Sequence, residues 1–180
     1  RGLDFKKKDY QSVKRILEDV RKNGDKALIK YVNRFDSPDL SIDSIKVSSE
    51  EINAAIKKVD KPFVRSLNRA ISQIKAFHKH QLSKSWINTD RQGVFLGQMV
   101  NPVDAAGVYV PGGKGGNTPL VSSVLMGAIP AKIAGVQHIS MTTPPTKDGS
   151  VNPHLLVAAQ KVGIDSVFKV GSAWAIAALA

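Results

Sequence analysis

The segment GVYVPGGKGGNTP, Gly107–Pro119, packs a short apolar run, five glycines and two prolines into thirteen residues. Val108-Tyr-Val110 has strand-forming composition. The glycine-rich stretch from Pro111 to Thr118 reads as a loop, and Thr118-Pro119 places a capping hydroxyl before a proline suited to the first helical position. Strand, loop and helix in that order make one βα unit.

Downstream the unit recurs. The helix opened at Pro119 carries Leu120, Val124 and Leu125, is expected to kink or break at Pro130, and meets a terminating glycine at Gly135. A strand is predicted at His138 to Thr142, then a turn through Pro144-Pro145 and Lys147-Asp-Gly149. Asn152-Pro153 repeats the cap-plus-proline device before a helix to Val162, closed by Gly163. A third strand, Val167 to Val170, ends at Gly171, and Ser172 starts another helix. Strands recurring about every 28 to 30 residues with helices between them predict βαβ units in a parallel sheet. Ligands of such sheets bind at the carboxyl ends of the strands, here the loops Pro111 to Thr118, Thr143 to Asn152 and Gly171 to Ala173.

The first half has a different grammar. Val13, Ile16, Leu17 and Val20 recur at helical spacing, and Asn23-Gly24 stops that helix before a second one from Asp25 to about Phe35. A β-like patch lies at Ile45 to Val47, and Ser48-Ser-Glu-Glu51 matches a capping box that opens a helix with Ile52, Ile56 and Val59. A longer helix from about Pro62 to Leu82 puts Leu67, Ile71, Ile74 and Phe77 on one stripe, with Phe63 and Phe77 expected in the core. Residues 86–103, rich in Trp, Ile, Val, Phe and Leu, predict one or two strands. The expected organisation is a helical and mixed region over 1–103 followed by βα units over 104–180.

The glycine-rich loop matches no named phosphate motif. From Gly113 the sequence reads Gly-Lys-Gly-Gly-Asn-Thr, which lacks the last glycine of the dinucleotide fingerprint, and Lys114 is followed by glycine where a P-loop needs Ser or Thr. Exposed amides, a lysine and a helix N-terminus can still hold an anion, and the alternative is ordinary turn chemistry.

Composition narrows the chemistry. With 180 residues and 42% hydrophobic content the chain can bury a core, and it has no cysteine for disulfides, thiolate catalysis or thiolate metal sites. No apolar run is long enough to span a bilayer, so a cytoplasmic protein without a membrane partner is expected. The net charge of +11 is concentrated before residue 103, which holds 21 Lys and Arg against 12 Asp and Glu. That surplus reads as solvated helix surface, and with few aromatics to stack on bases nucleic acid is not an expected partner. His78 and His80 point about 200° apart on a helix and cannot share a metal ion. No catalytic set emerges from spacing. The acidic residues of the second half are Asp104, Asp148 and Asp165.

Several blocks together carry a resemblance. Gly107-Val-Tyr-Val-Pro-Gly-Gly113, Ser122-Ser-Val-Leu-Met126, Ala128-Ile-Pro-Ala-Lys-Ile-Ala-Gly135, Thr143-Pro-Pro145, Val157-Ala-Ala159 and Ala175-Ile-Ala-Ala-Leu-Ala180 resemble, in order and spacing, the N-terminal part of the histidinol dehydrogenases. The resemblance spans nearly the whole chain but less than half of a family member. It implies an α/β fold with a helical N-terminal region and an incomplete Rossmann-like parallel sheet. It also implies a zinc-dependent homodimer that oxidises L-histidinol through the aldehyde to L-histidine with NAD, in histidine biosynthesis.

The same resemblance assigns a cofactor contact to Tyr109, in the Tyr-Val-Pro-Gly-Gly block. A second contact in the family is a glutamine in Gly-Gly-Ala-Gln-Ala-Ile-Ala-Ala. Here the segment is Gly171-Ser-Ala-Trp-Ala-Ile-Ala-Ala178, so Trp174 takes that position and Ser172 replaces a glycine. Trp174 offers one donor and a stacking face in place of an amide, and it is the second expected cofactor-binding residue, through stacking instead of the original hydrogen bond. The loop Lys114 to Thr118 is about three residues longer than in many relatives. The family's zinc ligands and its catalytic Glu-His pair belong to positions downstream of Ala180, so no catalytic or metal residue is expected in this chain, and the 180 residues alone are expected to be inactive. Two other readings are a paralogue oxidising another polar alcohol, such as a sulfonated diol, and a non-catalytic basic module that binds polyanions and weakens with salt.

Overall fold

The computed structural model describes residues 7–112 and 119–180. The expected loop from Lys114 to Thr118, including the capping hydroxyl of Thr118, and Lys6 of the basic run lie outside those residues.

Two amphipathic helices, α1 (Lys7–Asn23) and α2 (Asp25–Phe35), form the expected hairpin. They meet at Gly24, whose φ of 53° belongs to the region that favours glycine. Helix α3 (Ser49–Lys58) opens on the predicted capping box: the Ser48 hydroxyl accepts from the Glu51 amide, and Glu51 accepts from the Ser48 amide. Helix α4 (Lys61–Lys79) is capped by Asp60. Its core stripe ends earlier than expected. Leu67 and Ile71 are buried, whereas Phe77 is 64% exposed, with the His78 ring edge-on to it.

Residues 86–103 form one antiparallel hairpin, β1 (Trp86–Asn88) and β2 (Leu96–Gln98), with Trp86 opposite Gln98. Both strands are exposed on both faces.

The second half alternates as predicted. Strand β3 (Ala105–Tyr109) starts and ends slightly before Val108–Val110, and is followed by α5 (Val121–Ala134), β4 (His138–Thr143), α6 (Pro153–Val162), β5 (Ser166–Lys169) and α7 (Ser172–Leu179). The three strands are parallel in the order β3-β4-β5, with Tyr109 beside Thr142 and Thr142 beside Phe168. The β-like patch lies along the far edge: Val47 donates to Val167 at 2.9 Å and Lys169 donates to Ile45 at 2.7 Å. Asn152 caps α6 by accepting from the His154 amide, and Gly135 and Gly163 close α5 and α6.

Two expectations about α5, its opening at Pro119 and a break at Pro130, do not hold. It begins at Val121 with no side-chain cap, so Pro119 precedes the helix instead of opening it. It also continues through Pro130 to Ala134. An interior proline costs a helix about 3 kcal/mol, and here Val124, Leu125, Ala128 and Ile129 are all buried on the side that packs against α4, α6 and β3. Burying two or three such side chains is worth more than that penalty.

Period-two alternation along the strands builds two cores. Val108, Ile139, Met141 and Val167 face α3, α4, α5 and α6 in the larger one. Tyr109, Phe168, Val170 and Trp174 join α1 and α2 in the smaller one on the opposite face. Helix α7 crosses that second face, and Leu179 sits so close to β3 that a Cβ at Gly107 would come within 3.0 Å of it. The result is an α/β sandwich of helices, sheet and helices, with the carboxyl edge of the sheet left to the loops.

Candidate functional site

The sheet's carboxyl edge gathers Tyr109 from β3, Thr142 and Thr143 from β4, and Gly171–Trp174, where the chain turns from β5 into the start of α7. Two of the loops predicted to border a ligand site therefore converge where described. The Tyr109 hydroxyl accepts from the Ser172 amide at 3.2 Å. Its own proton goes to no other described residue. At the end of β4 the hydroxyls of Thr142 and Thr143 are buried and have no hydrogen-bond partner among the described residues.

Trp174 is 6% exposed. Its ring lies nearly parallel to Phe35, with centroids 5.3 Å apart, and to Tyr31 at 5.7 Å. Its indole nitrogen donates to Asp36 Oδ2 at 3.1 Å. The single donor of the indole and its stacking surface thus both have protein partners. A glutamine at this position would have no aromatic face to complete this stack.

Asp36 was invisible to sequence reading because it serves a turn 135 residues away. Besides the indole it accepts from the Gly171 amide at 3.2 Å, again on Oδ2. Burial pushes its carboxyl above the ordinary aspartate range, against the opposing pull of the Trp174 and Gly171 hydrogen bonds. Asp19 behaves oppositely: bonds from Tyr31, Asn23 and Lys30 hold it down at about 2. In a carboxyl-carbon NMR titration Asp36 is therefore expected to be among the last aspartates to ionise, and Asp19 among the first.

Ser172 has a φ of 56°, a conformation that costs a non-glycine residue about 1–2 kcal/mol. This gives a physical reason for the glycine that the resemblance places there. Ser172→Gly is expected to raise the unfolding free energy by about 1 kcal/mol, measured as a shift of the urea midpoint at constant slope. An unchanged or lower midpoint would show that this turn is relaxed.

No site for a metal forms here: among the described residues there is no group of three or more His, Cys, Asp or Glu side chains able to hold an ion. Nor is any described helix long and apolar enough to cross a membrane.

The layers, the parallel order and the polar carboxyl edge define a Rossmann-like α/β protein. The family model for histidinol dehydrogenase matches residues 3–180. A histidinol dehydrogenase of Desulfotalea psychrophila is 53% identical over 94% of this chain and 39% of its own length, and one of Clostridium acetobutylicum is 48% identical over 94% and 38%. The crystal structure of the Elizabethkingia anophelis histidinol dehydrogenase superposes with a TM-score of 0.87 at 36% identity, covering 99% of this chain and 40% of that one. The chain belongs to the histidinol dehydrogenase family, an oxidoreductase family, and spans about two fifths of the length of these relatives.

Proposed function

We propose that these residues are the N-terminal part of an NAD- and zinc-dependent histidinol dehydrogenase that converts L-histidinol through the aldehyde to L-histidine, as a cytoplasmic homodimer in histidine biosynthesis. The single observation that carries the cofactor reading is the Tyr109 hydroxyl, fixed at the sheet's carboxyl edge by the Ser172 amide and donating to no other described residue. Tyr109 is the direct contact, and Trp174 shapes the wall behind it. The partnerless Thr142 and Thr143 hydroxyls beside it fit an edge that takes a polar ligand.

When bound, NAD supplies the hydride acceptor, and the residues of this chain hold and orient it. Among the described residues no cluster of His, Cys, Asp or Glu fits zinc, and the resemblance puts the zinc ligands and the acid–base pair in the part of a family member that these 180 residues do not span. On this reading residues 1–103 complete the first domain of the enzyme, residues 104–180 begin its incomplete Rossmann-like domain, and the 180-residue chain alone has no turnover.

The test is oxidation of L-histidinol by the family-length enzyme with and without zinc. Zinc-dependent release of two NADH per histidinol is expected, because alcohol to acid is a four-electron oxidation. A folded, zinc-loaded enzyme that ignores histidinol would favour a paralogue acting on another polar alcohol, the reading that Trp174 in place of an amide supports. Tyr109→Phe is expected to weaken NADH binding about tenfold while lowering stability by about 1 kcal/mol, the worth of one hydrogen bond in each case.

A further inference from the structure

Asp36 joins features that otherwise lie far apart. It ends α2, on the helical side of the molecule, yet its carboxylate reaches the turn that carries the sheet into α7. One oxygen, Oδ2, takes both the Gly171 amide and the Trp174 indole proton. The described residues place no basic side chain in an ion pair with it; the four ion pairs among them involve Glu18, Asp19, Asp165 and Glu51. A half-buried carboxylate without a counter-cation is costly to keep, and its hydrogen bonds to uncharged donors are correspondingly strong.

What those bonds hold is a backbone that would not rest there alone. Residue 172, between the two tethered groups, is the one described non-glycine residue with positive φ. Its amide is the one that reaches Tyr109. Gly171 leaves no slack on the other side, since a Cβ there would stand 2.7 Å from Pro144 Cβ and 3.1 Å from Asp36 Oδ1.

We propose that Asp36 is a positioning residue for the cofactor site: by tethering Gly171 and Trp174 it holds the Ser172 amide against the Tyr109 hydroxyl and so fixes the direction in which that hydroxyl donates. The inference rests on the reading of Tyr109 as a dinucleotide contact. Trp174 has its place in the same device. Its indole proton completes the tether, and its stack on Phe35 and Tyr31 anchors the turn to α2.

The experiment is NADH titration, followed by nicotinamide fluorescence, of the family-length enzyme and its Asp36→Asn, Tyr109→Phe and doubly substituted forms. Asparagine keeps the shape but is a weaker, neutral acceptor, and its NH2 end can only donate. Asp36→Asn is expected to weaken NADH about tenfold, and the double variant is expected to bind no more weakly than Tyr109→Phe alone, because both changes remove one interaction. Michaelis constants should rise for NAD and stay level for the alcohol, with kcat little changed. That split is not what general loosening of the fold would give.

Additive effects, or Asp36→Asn binding NADH like the parent while Tyr109→Phe binds it more weakly, overturn the role of Asp36 and leave the cofactor reading intact. Full NADH affinity in Tyr109→Phe overturns the cofactor reading itself, and with it the route from Asp36 to the ligand. Should Asp36→Asn not fold, Trp174→Phe removes one of the two tethered donors while keeping an aromatic stack. It is expected to weaken NADH about threefold, again without adding to Tyr109→Phe, and parent-like affinity in that variant overturns the proposal.

Discussion

Gly171→Ala is expected to cost about 3 kcal/mol of stability and to abolish measurable NADH binding at concentrations that saturate the parent. The cause is room, not backbone freedom. Gly171 has φ −111° and ψ −177°, extended values open to any residue. A methyl group there would stand 2.7 Å from Pro144 Cβ, and a proline ring cannot swing aside as the end of a long side chain can. Either β4 and β5 separate at their carboxyl ends, or the turn shifts away from Asp36 and gives up the bond from the Gly171 amide. Both responses act on the ligand edge, so stability and affinity should fall together. Urea unfolding beside NADH titration measures the pair. Gly24→Ala is the comparison, since its positive φ is strained but nothing lies within 4 Å of the added atom. It should cost about 1 kcal/mol and leave NADH affinity alone. If Gly171→Ala behaves like Gly24→Ala, the turn is not confined as described.

The parts of this fold that the sequence announces are those whose signals are local. The capping box at Ser48 and Glu51, the Asn152 cap and the closing glycines at Gly135 and Gly163 each lie within a few residues of the boundary they set. Strand spacing likewise exposed the parallel α/β class, because a crossover helix needs a fixed length of chain. Tertiary packing is where reading along the chain failed. Phe77 has the spacing of a core residue, but nothing local shows that this end of α4 stays exposed. Pro130 carries a strong breaking signal that a completely buried helix face overrides. At the candidate site, Tyr109 could be singled out only through family resemblance. Asp36 could not be singled out at all, since its bonds to residues 171 and 174 bridge most of the chain.

Lys169 and Glu51 allow the joint between the two halves to be measured. Lys169 ends β5 with its side chain 8% exposed, and its ammonium lies 2.7 Å from Glu51 Oε1, whose side chain is 35% exposed. The other carboxylate oxygen of Glu51 accepts from the Ser48 amide at 2.9 Å and so completes the cap of α3. One carboxylate therefore starts a helix of the first half and neutralises a buried cation of the sheet. The two partners differ in what each leaves behind. Glu51→Ala removes the cap and strands an ammonium in the interior, which should cost about 3 kcal/mol, toward the low end for breaking a buried pair because Glu51 keeps some contact with water. Lys169→Met leaves a carboxylate that is part-solvated and still hydrogen-bonded to Ser48, and should cost less than about 1 kcal/mol. In the double variant Glu51→Gln with Lys169→Met the cap is retained and no charge is buried, so stability should return to within about 1 kcal/mol of the parent. Urea unfolding of the three variants, with Glu51→Gln alone to close the cycle against the double form, measures these losses. A loss for Glu51→Gln, which keeps the cap, no larger than that for Lys169→Met would mean that the buried position of Lys169 carries no penalty of its own.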